Sequence, residues 1–198
     1  MRTTLVLLAM VLGLSVHAQK IKLVSGNLSF LKGQKSIMVD FEYSDHLMVG
    51  KMTEADYIKK KQAEAEKHEP GSGEKWLEMW RGDRVEHYQP KFIELMNAYL
   101  SKPGVTVSET ASDAKYKLVV TTTFIEPGFN VGVMSRPAYI DLTLTFVEIS
   151  TGKEMAKLTL VKSPGQGAGD FDSGYRVGEA YAKAGKEFAK FLLKKKAF

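Results

Sequence analysis

Cysteine does not occur anywhere in the 198 residues. Its absence excludes disulfides, zinc-thiolate sites and thiol nucleophiles together. It also removes the lipid-attachment residue that a bacterial lipoprotein needs. Histidine is scarce, and beyond His17 the chain has only His46, His68 and His87, in three different predicted settings. No His-Glu-x-x-His and no histidine pair at helical spacing is present, so the sequence specifies no metal site. Gly-x-Ser-x-Gly is missing as well, and Ser72, between two glycines after Pro70, reads as a loop residue. No cofactor is expected. The formal charge of +5 is modest and partly local, in Lys59-Lys60-Lys61 and Lys194-Lys195-Lys196. Short runs of this kind are usually solvated helix faces and ends, so no nucleic-acid partner is expected.

Long apolar stretches are also lacking. The run at residues 5–14 is about half of the roughly 20 residues that a membrane-spanning helix needs. With Arg2 before it and Val16-His17-Ala18 after it, it has the three parts of a secretory signal. Cleavage is expected after Ala18, leaving residues 19–198 as one domain without a transmembrane span, in the periplasm or released from the cell. A small eukaryotic secreted domain would lean on disulfides, so a bacterial envelope protein is the better fit.

What is present reads as strands and helices of a mixed fold. Residues 21–24, 28–31 and 37–43 have the length and composition of short strands, separated by turn chemistry at Gly26-Asn27 and Lys32-Gly33-Gln34. An N-terminal hairpin over 19–50 standing apart from an α-β-β-β-α body over 53–198 is one possible division. Thr53 is placed as the N-cap of a largely exposed helix running to about Lys67. A stronger helical signal spans 74–100, with Trp76, Leu77 and Trp80 in one cluster and Phe92, Leu95, Met96 and Tyr99 at three- and four-residue steps. Gly82 and Pro90 are expected to divide it. Helical spacing makes core packing the better account of the two tryptophans than a glycan-stacking surface.

Strands follow at 105–107, 116–125, 139–149 and 155–162. Ile140, Leu142, Leu144 and Phe146 alternate with Asp141, Thr143 and Thr145, which puts one face of the strand inside. Ser150-Thr151-Gly152-Lys153 reads as a hairpin turn between the last two long strands. A final helix from about Asp172 to Leu193 carries Val177, Tyr181, Ala184, Phe188 and Phe191 on one stripe, the layout of a helix docked on a sheet. The expected class is α+β: a mixed, mainly antiparallel sheet of four to six strands with two or three helices on one face.

Two loops carry the candidate sites. Residues 126–137 join two long strands yet contain Phe129, Val131, Val133 and Met134 beside Arg136, apolar groups that a solvated turn does not need. Either this loop folds back over the sheet edge or it offers a hydrophobic surface to a partner. Arg136 is placed to pair with a nearby acidic group. Gly165, Gly167 and Gly169 precede the last helix and form a weaker candidate anion site built on backbone N–H groups, although the spacing departs from Gly-x-Gly-x-x-Gly. The strand carboxylates Asp40, Glu42, Asp141 and Glu148 would serve a glycoside hydrolase only if two of them lay close together in a cleft.

The order of a helix ending Phe92-Ile93-Glu94-Leu95-Met96, the segment Ala114-Lys115-Tyr116-Lys117-Leu118, the turn Ile149-Ser150-Thr151-Gly152-Lys153 and a terminal Tyr181-Ala182-Lys183-Ala184 helix resembles a broad group of bacterial envelope domains. The group includes the TolB N-terminal domain, the penicillin-binding-protein activator lipoproteins and the curli secretion lipoprotein. The likeness covers residues 84–193 and implies a periplasmic adaptor or binding module for another envelope protein. A small-ligand or glycan-binding protein and a strand-carboxylate hydrolase are the alternatives. Oligomeric state is left open.

Overall fold

The computed structural model describes residues 19–167 and 172–198. The expected signal segment and Gly169 lie outside these. Strands β1 (Lys20–Gly26), β2 (Ser36–Val49), β3 (Met52–Thr53), β4 (Thr106–Ser108), β5 (Tyr116–Glu126), β8 (Tyr139–Glu148) and β9 (Glu154–Pro164) form one sheet of seven strands. Two further short strands, β6 (Phe129–Asn130) and β7 (Ser135–Arg136), form a separate two-stranded ribbon. The helices are α1 (Glu54–Glu66), α2 (Ser72–Asp83), α3 (Gln89–Leu100) and α4 (Ser173–Lys194). The fold is therefore α+β.

The sheet runs β1-β9-β8-β5-β2-β3, with β4 also paired to β2. It has more strands than the four to six expected, because the short β3 and β4 pair at the ends of β2. Its pairs are antiparallel except for β2 with β4 and β2 with β5, which are parallel. Parallel neighbours need a long crossover, and α1 to α3 supply it. On β8 the alternation is as the sequence implies, with Ile140, Leu142, Leu144 and Phe146 buried. The β8–β9 pairing is antiparallel across the 150–153 turn.

The N-terminal pieces do not form a hairpin. β1 pairs antiparallel with β9 at one edge, while β2 lies beyond β5. Residues 28–31, expected as a strand, contain a 3-10 turn at Ser29–Leu31. The Asn27 side chain starts it by accepting the Ser29 N–H at 3.0 Å. The turn then carries the chain across the end of the sheet, where Leu31 is fully buried and Phe30 meets the rings of Tyr116 and Phe146 at 4.7 and 5.5 Å.

The Thr53 hydroxyl caps α1 by accepting the Asp56 N–H at 3.2 Å, and α1 has no buried residue. The stretch from Ser72 to Leu100 is not broken at Gly82 or Pro90. A π-helical turn at Arg84–Tyr88 joins α2 to α3, and Pro90 sits in the first turn of α3. Proline cannot donate an N–H, and a π turn immediately before it absorbs that lost bond without ending the helix. α4 buries Val177, Tyr181, Ala184 and Phe188 as its stripe implies, but also Gly174, Gly178, Ala182 and Gly185. It is enclosed on two sides, by the sheet and by the α2–α3 rod.

Candidate functional site

The 126–137 segment does not fold back over the sheet. Beyond Glu126 the chain turns at Pro127-Gly128 and projects as the β6–β7 ribbon, with Phe129 opposite Arg136 and Asn130 opposite Ser135. The turn demands glycine. Gly128 has φ +64°, and a Cβ there would lie 2.3 Å from the Arg136 carbonyl oxygen. At the tip, the Val131 N–H donates to the Met134 carbonyl at 3.0 Å, and Asn130 Oδ1 accepts the Gly132 N–H at 3.0 Å. The backbone is thus satisfied locally, and the apolar side chains are turned outward. Val133 is 95% exposed, Met134 62%, Val131 60% and Phe129 41%.

The base of this hairpin is fixed. Arg176 of α4, buried, donates from Nε to the Pro127 carbonyl at 3.2 Å. Arg136 and Glu126 form a loose ion pair, Nη2 to Oε2 at 3.9 Å. Beneath the tip, Phe124 and Tyr139 stack with centroids 5.3 Å apart. A groove of about 430 Å³ opens on one side, lined in part by Lys51, Met52, Lys60, Lys61 and Arg136. A second of about 360 Å³ is lined by Arg136, Pro137, Tyr139 and Lys162.

Gly165 and Gly167 serve packing. A Cβ on Gly165 would stand 2.1 Å from the Arg176 carbonyl oxygen, and one on Gly167 would stand 3.0 Å from the Pro137 nitrogen. The Gly165 N–H donates to Ala138 O at 2.7 Å and the Gln166 N–H to Arg176 O at 3.4 Å. Those two amides are spent within the chain, which leaves the anion reading without them as donors.

The strand carboxylates each have a partner of their own. Asp40 pairs with Lys117 at 3.1 Å and Glu42 accepts from Thr121 at 3.4 Å. Asp141 accepts the Lys162 N–H at 2.7 Å, and Glu148 accepts from Thr151 at 2.6 Å. The β2 pair and the β8 pair are separated by β5, a gap of about 10 Å at the usual strand spacing. Burial pushes the Asp141 carboxyl up, against the lowering effect of the Lys162 N–H. Among the described residues no group of three or more histidines and carboxylates could hold a metal ion. Trp80 is buried and stacks on the partly buried Trp76 at 5.7 Å, so the pair packs against the core.

Two polar clusters escaped the sequence. Asp83 and His87, four residues apart across the π turn, are joined at 2.9 Å, and the Tyr175 ring lies 4.4 Å from that of His87. Burial raises the Asp83 carboxyl, and the His87 hydrogen bond opposes it. The spacing Asp-x-x-x-His was the available signal. The second is Glu54, which accepts from Trp80 Nε1 at 2.8 Å and pairs with Arg84. The Arg84 guanidinium in turn lies 3.7 Å above the Tyr43 ring. Glu54 and Arg84 side chains are 20% and 24% exposed, so Glu54→Ala is expected to cost about 2–3 kcal/mol, somewhat less than breaking a fully buried pair. Glu54→Gln, which keeps an acceptor for Trp80, should recover about half of that in urea unfolding.

No model of a known protein family matches the chain, and no curated protein sequence matches it. Among solved structures, it is similar to the PelC dodecamer from Paraburkholderia phytofirmans, with 12% identity, 91% of this chain and 99% of that chain covered, and a TM-score of 0.44. Protein XCC0632 from Xanthomonas campestris is similar at 11% identity, with 82% and 85% covered and a TM-score of 0.41. A neuraminyllactose-binding hemagglutinin homolog from Helicobacter pylori is similar at 15% identity, with 87% and 89% covered and a TM-score of 0.34. No helix among the described residues is long and apolar enough to cross a membrane.

Proposed function

We propose that this chain is a non-catalytic binding module of the bacterial cell envelope, exported to the periplasm or beyond, and that it docks on an envelope component through its 126–137 hairpin. The observation that carries this reading is the exposure of Phe129, Val131, Val133 and Met134 together on a projecting tip. Single exposed apolar residues are ordinary, but a contiguous group rimmed by polar ones marks an interaction surface. Arg176 ties the base of the hairpin to α4, so the segment leaves the body from a fixed point.

A photoreactive residue at Val133, in the full chain expressed in its native envelope, tests the proposal. A discrete crosslinked product is expected, and it should be lost when Met134 is changed to aspartate. Absence of any product from protein shown to be folded and exported would overturn it.

A further inference from the structure

The tip has a collar, and the collar has a sign. Among the described residues lining the two grooves beside it stand five cations, Lys51, Lys60, Lys61, Arg136 and Lys162, and one carboxylate, Glu126. Glu64, outside the grooves, is shared by Lys60 and Lys61 at 3.8 and 2.8 Å. Asp141 faces Lys162. Lys51 has no ion pair among the described residues. The exposed apolar side chains therefore stand outside both grooves, and a predominantly cationic lining flanks the base of the hairpin, drawn from the β2–β3 turn, α1, β7 and β9.

One cation is held at a conformational cost. Lys162 has φ 58°, in the left-handed region that a lysine seldom enters. Asp141 Oδ1 fixes it by accepting the Lys162 N–H at 2.7 Å, next to the irregular register between β8 and β9. An irregularity of this kind bends its strand and changes the direction in which the side chain there leaves it. Between the two grooves lies Tyr139, stacked on Phe124, a ring with an apolar body and a polar end suited to the boundary between lipid and water.

We infer that the envelope component met by this end of the molecule is an anionic bilayer surface: the apolar tip enters the headgroup boundary and the cations of the collar meet lipid phosphates. The inference rests on the docking reading above and names its ligand. An exposed apolar hairpin tip flanked by cations suits a soft apolar layer covered by negative headgroups.

Vesicles of phosphatidylglycerol mixed with phosphatidylcholine, and vesicles of phosphatidylcholine alone, test this by co-sedimentation with the purified full chain. Binding is expected to the anionic vesicles, and to weaken as salt is raised. Val133→Asp should reduce partitioning about tenfold or more, and Lys51→Glu should reduce it at least about fivefold. Val133 is almost fully exposed, so its variant folds as the parent does. The variants share the parent's first eighteen residues, so partitioning is compared at lipid concentrations below saturation, where a lipid affinity of that segment leaves the ratio between parent and variant unchanged. Equal binding of parent and Val133→Asp, or equal binding to both vesicle types, would overturn the inference. No vesicle binding, with a Met134-dependent crosslink to a protein still formed in the envelope, would overturn the lipid assignment and leave the docking reading standing.

Discussion

Replacing Phe188 with alanine should lower the free energy of unfolding by about 3–5 kcal/mol. The ring is fully buried on α4 and lies 6.1 Å from that of Phe146, which reaches it from the sheet. Removing it opens a void bounded by the rigid sheet on one side and the α3 helix on the other. Neither wall can close without separating from its other neighbours, so both the lost transfer energy and the cavity are felt. Against a total of about 5–15 kcal/mol for a domain, the variant loses much of its margin. Urea unfolding followed by tryptophan fluorescence reads the change, since Trp80 is buried. Phe191, further along the same stripe and only partly buried, is the internal comparison, with an expected loss of about 1 kcal/mol. Equal losses at the two sites would mean that α4 is not clamped between sheet and helices as described.

Adding a single carbon one turn earlier should also destabilise strongly. A Cβ at Gly185 would meet the Phe92 carbonyl oxygen at 2.2 Å and its carbon at 3.0 Å. Both atoms are backbone of α3, so the clash is relieved only by moving one helix away from the other. Alanine is the better helix former by roughly 0.5–1 kcal/mol, yet Gly185→Ala is expected to lose about 1–3 kcal/mol net from overpacking. Gly185→Leu should show no cooperative unfolding transition at all. Gly178→Ala is milder: its Cβ would meet the His87 carbonyl oxygen at 3.2 Å, and a near-neutral result is expected there. A thermal unfolding series of the three variants orders them. If Gly185→Ala proves more stable than the parent, helix propensity rather than close approach governs that position.

These positions show where sequence reading succeeds and where it stops. The stripe Val177, Tyr181, Ala184 and Phe188 is visible because a helix repeats every 3.6 residues, and the alternation on β8 is visible because a strand repeats every two. The 150–153 turn is visible because its residues favour it. All of these are local. Gly174, Gly178 and Gly185 form a second contact face on α4, but a glycine signals only that backbone passes close by. Gly165 illustrates the same ambiguity: it looks like part of an anion-binding loop, and its neighbour is the Arg176 carbonyl. The partner of β1 and the parallel register of β2 on β5 depend on segments far apart in the chain, which no window of sequence contains. The 126–137 loop was conspicuous from its apolar residues. Whether they pointed inward or outward was decided by Gly128 and by the hydrogen bonds at the tip. The basic collar was not legible, since its cations come from four separate elements.

The pairing of β1 with β9 has a consequence for the order of events during synthesis. At about 5–20 residues per second, the interval between Gly26 and Glu154 takes on the order of ten seconds to produce. Throughout that time the first strand of the sheet has no neighbour to hydrogen-bond. The helix that covers the sheet's apolar face is made later still, as the last 22-residue element. A nascent chain stalled before β9 therefore carries an unpaired strand and a sheet face that lacks α4, in the form that a chaperone holds and a folded protein conceals. The sheet of this domain is completed only after β9 and α4 have been made.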